Sequence, residues 1–427
     1  MTTTPHDTTF LQVGLPDVHG RLTGRRLLVD TDQQAPAPSF TARDYVLATD
    51  IDLTEAEPET ETEGLHWYTG DGDIVVRAAE DSRVYDLGDA GKLVLADAHD
   101  SAGRPIHAAP RQVLKAVLAD AARLGLQPAI GTEVEFYAYG QSPQALRDDT
   151  FRDPRPHSPY IPDTLLETPP RDRALLEAIC RACGQAGLDV EGYANEGAPG
   201  QFEINFGYGD FLQVCDAHVV YKTIVRETAR LHDRTVTFMA KPTDDSFGSS
   251  CHMHLSLGQE GGNAFHDEKV LRSFVAGVLT LLPESSLFYA PYVNSYKRLP
   301  AGASAARLAW HRRRRSTLRL ISPEHNPRLE LRIAGADANP YLAAAAFLAA
   351  GLYGVEQRLD CPEEGEPLGT FPSTLSQALA LTRSGTALRS VLPAGAVELV
   401  TAVAQVELDK FERTVTSFER ERMLERI

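Results

Sequence analysis

Three short segments of the chain carry pairs of ionisable residues separated by one apolar residue. The pairs are Glu133 and Glu135 in GTEVEFYAY, His252 and His254 in SSCHMHLSL, and Glu330 and Arg332 in RLELRI. Because residues i and i+2 of a strand point to the same face, each segment is predicted to be a strand with one charged and one apolar face. Any single pair is ordinary for a strand that borders solvent. Three such strands, with carboxylates on two and imidazoles on the third, predict a shared site.

A fourth segment, NEGAPGQFEINF, adds Glu196 and Glu203, and its Gly-Ala-Pro-Gly sequence is predicted to turn the chain between them. Five carboxylates and one imidazole in one cleft would repel each other and raise their own pKa values unless cations were bound. Oxygen-rich ligation with an occasional histidine is typical of Mg²⁺ or Mn²⁺ rather than Zn²⁺. The segments therefore predict divalent ions, which could hold the phosphates of a nucleotide.

Arginines follow in the second half of the chain. They are Arg298 in NSYKRLPAG, Arg312 to Arg315 in HRRRRS, and Arg328 and Arg332 in NPRLELRI. The guanidinium group matches carboxylate and phosphoryl oxygens and stays charged at any working pH. The run HRRRR alone would be typical of a solvated face. Beside Arg298 and Arg332 it predicts at least one phosphate or carboxylate contact.

Bulk composition excludes several classes of protein. The chain has 427 residues, 43% hydrophobic residues and a formal net charge of −17, which argues against non-specific binding to nucleic acid or to an anionic membrane. No signal peptide is recognisable, and the apolar stretch PYLAAAAFLAAGLYGV is shorter than the roughly 20 residues of a membrane span. We expect a cytoplasmic protein and a helix that begins at Asn339-Pro340. The five cysteines do not form a disulfide framework, and Cys180 and Cys183 are predicted to pack in a helix.

The segment pattern predicts an α+β protein of two domains, at residues 1–105 and 106–427. The first is β-rich, with two short strands around a turn at His19-Gly20 and an exposed acidic loop at residues 51–64. The second begins with a helix from about Pro110 to Gly125 and ends with a helix around LDKFERTVTSFERERMLERI.

These segments, in this order, resemble the glutamine synthetase family across nearly the whole chain. The matching motifs are ExE at 133–135, GQFEINF at 200–206, FMAKP at 238–242, CHMHLSL at 251–257, NSYKRL at 294–299, LELR at 329–332 and NPYL at 339–342. The resemblance implies an N-terminal β-grasp domain and a catalytic domain whose curved antiparallel sheet forms a metal-lined funnel. It also implies a homo-oligomer of two stacked rings (a decamer or dodecamer), with active sites between neighbouring subunits.

The resemblance also implies a role for each candidate site residue. The ligands of the metal near the amino-acid substrate would be Glu135, Glu196 and Glu203, and those of the metal on the nucleotide phosphates would be Glu133, His252 and Glu330. His254 would contact phosphate, and Arg332 and Arg315 (with Arg314 as the alternative) would stabilise the transferred phosphoryl group. Arg298 would bind the α-carboxylate of glutamate, and the Gly248 carbonyl with Glu135 its ammonium. The ATP pocket would be lined by Lys241, Tyr208, Ser256 and Arg328.

The implied reaction is an ATP-dependent ligation of a carboxylate to an amine. The γ-carboxylate of glutamate would attack the γ-phosphoryl group of ATP, and a neutral amine would then displace phosphate from the acyl phosphate. Positioning and electrostatics would supply the catalysis, with no covalent enzyme nucleophile.

The chain departs from true glutamine synthetases at the amine side. Their PGYEAP-like loop carries an acid that captures ammonium, whereas PAGASAA at 300–306 has only Ala303, Ser304 and Ala305 there, and the Asp-Gly-Ser-Ser latch is missing too. A roomier, less charged pocket favours an organic amine, as in the γ-glutamyl-polyamine, -ethanolamide and -anilide synthetases. Phe247 stands where true glutamine synthetases have asparagine near the substrate amino group, which leaves a close analogue of glutamate as an alternative acid.

Several alternatives stay open at this point. The chain could be a true glutamine synthetase that uses ammonia, a non-catalytic structural or regulatory relative, or a kinase that phosphorylates without ligation. The acidic residues Asp50, Asp52, Glu55, Glu57, Glu59, Glu61 and Glu63 could attract a polyamine or form a solvated loop. Regulation through a modified tyrosine is not expected, because residues 363–375 contain no tyrosine.

Overall fold

The computed structural model describes residues 8–30, 37–58, 72–299 and 306–427. In these ranges the chain forms two sheets and a set of helices. The first sheet consists of β1 (Thr8–Pro16), β2 (Leu22–Asp30), β3 (Ser39–Arg43), β4 (Asp73–Ala78), β5 (Val84–Asp86) and β6 (Lys92–His99). Its strand order is β2-β1-β6-β4-β3, and β5 pairs with β6. The predicted turn at His19-Gly20 joins β1 and β2, which are longer than the short strands expected.

The second sheet has β7 at its centre, between β12 and β9. Its strands are β7 (Leu126–Tyr139), β8 (Val190–Asn195), β9 (Gln201–Phe206), β10 (Gly209–Asp210), β11 (Thr235–Thr237), β12 (Cys251–Gln259), β13 (Gly262–Asn263), β14 (Trp310–His311), β15 (Leu318–Ile321) and β16 (Arg328–Leu331). The order is β14-β15-β16-β12-β7-β9-β8. The pairs are antiparallel, apart from the parallel pair β14 and β15.

Twelve α-helices pack around the sheets in the described part of the chain. They are α1 (Pro110–Arg123), α2 (Pro143–Asp148), α3 (Pro170–Gln185), α4 (Phe211–Leu231), α5 (Glu268–Leu281), α6 (Ser286–Tyr289), α7 (Val293–Lys297), α8 (Pro340–Gln357), α9 (Leu375–Ser384), α10 (Ala387–Val391), α11 (Ala396–Arg413) and α12 (Ser417–Met423). Among the described residues, no helix is long and apolar enough to cross a membrane.

Three of the predicted helices are confirmed, and the extent of a fourth is wrong. Helix α1 begins at Pro110, α3 buries Cys183, and the Asn339 side chain caps α8 by accepting from the backbone N–H groups of Tyr341 and Leu342. The single terminal helix is instead α11 and α12. The break occurs because Thr416 forms a capping box with Glu419 and so starts a new helix.

The acidic loop differs from a simple solvated loop in the part that the structure describes. Asp50 is buried, and its carboxylate and that of Asp52 accept hydrogen bonds from Lys410 of α11. One lysine therefore offsets one of the two negative charges of Asp50 and Asp52. Residues 59–71, with Glu59, Glu61 and Glu63, lie outside the described residues, as do residues 300–305 with Ala303, Ser304 and Ala305.

A buried ion-pair network connects the first sheet to α1 and α4. The guanidinium of Arg111, which is 1% exposed, donates to Asp216 at 2.9 Å, to Asp97 at 2.9 Å and to Asp81 at 2.7 Å. Since Asp97 lies on β6 and Asp216 on α4, and both α1 and α4 pack against β7 of the second sheet, this network helps to fix the sheets relative to each other.

Replacing Arg111 with Met should destabilise the protein by about 3–5 kcal/mol, because three carboxylates would lose their buried cation. Unfolding by urea measures this. Arg123→Met is the matched control, since Arg123 lies on the same helix and is 62% exposed. A loss no larger than that of the control would contradict the assignment.

Candidate active site

The strand register brings the predicted acids and imidazoles onto one face of the second sheet. His252 of β12 lies opposite Glu133 of β7, and His254 lies opposite Glu330 of β16. Glu135 of β7 lies opposite Glu203 of β9. Because directly opposite residues of antiparallel strands share a face, the i and i+2 pairs become one continuous array.

Glu196 joins this array through the turn between β8 and β9. Glu196 follows β8 directly, and its backbone N–H donates to the Gln201 carbonyl at 3.0 Å. Gly200 has φ +75° in that turn, and a Cβ there would lie 2.6 Å from the Ala138 carbonyl oxygen, so the turn requires glycine. The Gly-Ala-Pro-Gly prediction is confirmed.

Three groups of ligand atoms lie close enough together to hold metal ions. In each group the candidate atoms are all within 4.8 Å of one another. The groups are Glu135 with Glu196 and Glu203, Glu133 with Glu203 and His252, and Glu133 with His254 and Glu330. The first is identical to the predicted amino-acid-side set. At the side predicted to bind the nucleotide, both imidazoles approach Glu133: His254 Nε2 at 2.9 Å and His252 Nδ1 at 3.2 Å.

The pKa values of the site acids indicate that their carboxylates repel one another. Burial, together with the charge of Glu133, raises the pKa of Glu203 to about 8. Burial and the charges of Glu135 and Asp163 raise the pKa of Glu196 to about 7. The pKa of Glu133 is lowered despite its burial, because His252 and His254 hydrogen-bond to it. Carboxylates under such repulsion, next to imidazoles, form a donor set suited to Mg²⁺ or Mn²⁺.

Two residues that the sequence did not single out hold Glu135 in place. Ser250 donates to Glu135 from its backbone N–H at 3.0 Å and from its hydroxyl at 2.5 Å. The Gln201 amide donates to Glu135 at 3.0 Å and to the Gly248 carbonyl at 3.2 Å. Gln201 thus bridges the two acceptors predicted to take the substrate ammonium. The GQFEINF motif contains Gln201, but only the strand register shows its contact.

Arg298 lies beside Gly248 in a tightly packed position. A Cβ on Gly248 would lie 2.3 Å from Arg298 Cγ and 2.6 Å from the Ala240 carbonyl oxygen, so only glycine allows this approach. The Arg298 guanidinium donates to the Ile333 carbonyl, while its Nε has no partner among the described residues. Burial lowers the pKa of Arg298, and an anionic ligand would compensate its charge.

The other arginines divide between the site and the surface. Arg332 donates a hydrogen bond to Glu330. The charge of Arg315 partly offsets the rise in the pKa of Glu196 that burial and the neighbouring acids cause. Arg312 instead pairs with Glu268 and Glu364 outside the metal groups. The run HRRRR therefore combines a surface ion pair with a residue close to the site.

A cavity of about 300 Å³ adjoins the side of the array that is predicted to bind the nucleotide. Tyr208, His254 and Arg328 line it together with Glu133. Ser256 contacts the Tyr208 hydroxyl, and Arg328 Nε lies 3.3 Å from His254 Nδ1. Cavities of this size are typical of small-molecule sites.

Lys241, which the resemblance places in the nucleotide pocket, does not line this cavity. The Lys241 ammonium donates to the Ser246 carbonyl, and its backbone N–H donates to Asn294 at 2.9 Å. Ser246 lies two residues before Gly248, so the Lys241 ammonium is held close to the segment that carries Gly248.

Several known proteins are similar to this chain in sequence and in fold. The family model for the glutamine synthetase catalytic domain matches residues 107–423. The γ-glutamylethanolamide synthetase of Streptomyces coelicolor is 36% identical over 97% of this chain and 92% of its own. The γ-glutamylputrescine synthetase of Escherichia coli is 34% identical over 76% of this chain and 73% of its own. A solved structure of apo GmaS superposes with a TM-score of 0.80 at 26% identity, covering 97% of this chain and 96% of that one.

Proposed function

Since this chain belongs to the glutamine synthetase family and is an ATP-dependent carbon–nitrogen ligase, we propose that it forms a γ-glutamyl amide from glutamate and an organic amine. The position of Phe247 is the observation that supports an organic amine as the second substrate. Its ring lies over Gly197, next to Glu196, and it is 68% exposed. An exposed aromatic ring beside the acidic pocket adds apolar surface that ammonium cannot use. The names of the similar synthetases from Streptomyces and Escherichia point to the same class of substrate.

The residues of the site fit the two divalent ions that the family uses. Glu135, Glu196 and Glu203 would hold one, and Glu133 and Glu330 with His252 would hold the other. When bound, such ions neutralise phosphoryl charge and orient the phosphates of ATP. The remaining residues bind and position the substrates: Arg298 the glutamate α-carboxylate, and Gly248 with Glu135 its ammonium.

In the proposed reaction, an oxygen of the glutamate γ-carboxylate forms a bond to the γ-phosphorus of ATP while the bond to ADP breaks. Arg332 and Arg315 stabilise the charge on the phosphoryl group in transfer. The ammonium group releases a proton to solvent, and the neutral amine nitrogen attacks the carbonyl carbon of the γ-glutamyl phosphate. The carbon–oxygen bond to phosphate breaks, phosphate leaves, and a second proton passes from the nitrogen to solvent. His254 contacts phosphate, and Tyr208, Ser256 and Arg328 line the nucleotide pocket.

The finer architecture belongs to the same proposal. The first sheet would be a β-grasp domain that ends at about residue 105, and residues 106–427 would form the catalytic domain, with the second sheet as the wall of a funnel. The fold's likeness to GmaS over nearly the whole chain supports this. We also propose a cytoplasmic homo-oligomer of two stacked rings.

An amine panel tests the proposed function. With ATP, Mg²⁺ and glutamate, we compare ammonium, ethanolamine, isopropylamine and putrescine by phosphate release and product mass. At least one organic amine should have a kcat/KM about tenfold or more above that of ammonium, which corresponds to about 1.4 kcal/mol of transition-state binding. A preference for ammonium would instead identify a true glutamine synthetase. Phosphate release with no amine requirement would identify a kinase or hydrolase, and no turnover would identify a non-catalytic relative.

A further inference from the structure

A strained turn lies next to the acidic end of the site. In the turn Pro162–Leu165, the Leu165 backbone N–H donates to the Pro162 carbonyl at 2.7 Å. Thr164 has φ +59°, a left-handed conformation that a β-branched residue rarely adopts. Asp163 precedes it and is exposed. A conformation of this kind persists only where surrounding contacts impose it.

Those contacts come from Asn195 at the end of β8, the strand that leads into Glu196. The Asn195 side chain donates to the Leu165 carbonyl at 3.0 Å and to the Thr168 hydroxyl at 3.0 Å. Asn195 directly precedes Glu196, so the turn and the proposed metal ligand are held by adjacent residues. Asn195 is itself buried, which makes these bonds difficult to replace by water.

The beginning of the same loop is fixed by a second set of bonds. His157 Nδ1 lies 2.5 Å from a carboxylate oxygen of Asp172, and the Ser158 hydroxyl donates to the other oxygen at 2.6 Å. All three residues are buried. The loop is therefore positioned at both ends, and the turn that carries Asp163 is bonded to Asn195, the residue directly before Glu196.

Phe247 forms the apolar side of the same region. A Cβ on Gly197 would lie 3.0 Å from Phe247 Cδ2 and 3.1 Å from its Cε2, so the ring covers the residue that follows Glu196. The Tyr137 hydroxyl donates to the Phe247 carbonyl at 2.6 Å, which fixes the backbone while most of the ring stays open to solvent.

We propose that Asp163 and Phe247 form the recognition site for the amine, which arrives as a primary alkylammonium ion. Asp163 attracts and orients the charged nitrogen, and the Phe247 ring contacts the alkyl chain. This inference rests on the proposed function, because it assigns residues to the amine of that reaction. Asp163 is a positioning residue here: it brings the ammonium group towards the acyl carbon.

The pairing of an acid with an aromatic ring defines the class of amine. Ammonium would gain binding free energy from Asp163, but it has no carbon atoms to place against Phe247. A primary amine with a short alkyl chain gains from both groups. Asp163 should therefore act on the ammonium group and Phe247 on the alkyl chain. The two side chains should have separable effects on the KM for the amine.

The experiment compares Asp163→Asn and Phe247→Ala with the wild type, using ethanolamine, isopropylamine and ammonium at saturating ATP and glutamate. Asp163→Asn should raise the KM of each amine about fivefold, the size of one solvent-accessible ion pair, with kcat and the KM values of ATP and glutamate unchanged. The wild-type KM for amine should rise with added KCl, and that of Asp163→Asn should rise less. Phe247→Ala should raise KM about threefold for isopropylamine but not for ammonium.

Glu167→Gln is the matched control, because Glu167 is an exposed acid on the same loop; its kinetics should equal those of the wild type. If the wild type uses organic amines but Asp163→Asn and Phe247→Ala keep wild-type KM values, the inference is overturned and the proposed function stands. If the wild type prefers ammonium to every organic amine, both are overturned.

Discussion

Replacing Glu203 with Gln should lower kcat by about 10³-fold or more and remove the thermal stabilisation that Mg²⁺ or Mn²⁺ gives the protein. Glu203 belongs to two of the three candidate metal groups, so the loss of its charge affects both sides of the site. Steady-state phosphate release and melting curves with and without metal measure the two effects.

The same variant should not destabilise the metal-free protein. Burial and the charge of Glu133 raise the pKa of Glu203 to about 8, so its ionised form is disfavoured in the folded state. A group whose pKa is raised by folding costs stability as the pH rises towards that value. With chelator at pH 8.5, Glu203→Gln should therefore melt at or above the wild-type temperature.

Glu177→Gln provides the control, since Glu177 lies on α3 and pairs with Arg181 away from the site. Its turnover and its metal response should both equal those of the wild type. If Glu203→Gln kept the metal-induced rise in melting temperature, Glu203 would not be a metal ligand.

Replacing Arg332 with Ala should lower kcat by about 10³-fold, with a much smaller change in the KM of ATP and glutamate. The reason is that its guanidinium would act mainly on the charge that develops during phosphoryl transfer. In the structure it donates to Glu330, so its effect could also pass through that carboxylate.

Arg319→Ala separates these two routes. Arg319 is the other arginine on Glu330, with Nη1 at 3.5 Å from the second carboxylate oxygen. If Arg332 acts on the phosphoryl group, Arg319→Ala should cost less than about tenfold in kcat. Equal losses in the two variants would show that both arginines only neutralise Glu330.

The chemistry of the site was predictable from sequence because strand periodicity is local information. The spacing of Glu133 and Glu135, and of His252 and His254, already determines that each pair shares a face. The Gly-Ala-Pro-Gly turn indicated in the same way that Glu196 and Glu203 could approach each other. The resemblance to the glutamine synthetase family then supplied the expected partners.

Contacts between distant segments were not predictable in this way. The order of strands is set by packing of the whole domain, and therefore the contacts of Ser250 and Gln201 with Glu135 appear only in the structure. The contact of the Lys241 ammonium with the Ser246 carbonyl was not predictable either, because a motif gives the position of the backbone but not the partner of a long, flexible side chain. The break between α11 and α12 follows from a local cap at Thr416, a signal that the sequence does contain.

The central claim is that Glu133, Glu135, Glu196, Glu203, His252 and Glu330 gather two divalent ions. Anomalous diffraction from crystals of the protein grown with Mn²⁺ tests it most directly. We expect two manganese peaks in each subunit, one bonded to Glu135, Glu196 and Glu203 and the other to Glu133, Glu330 and a histidine of β12. Manganese bound only elsewhere, or no peak at these side chains, would contradict the account.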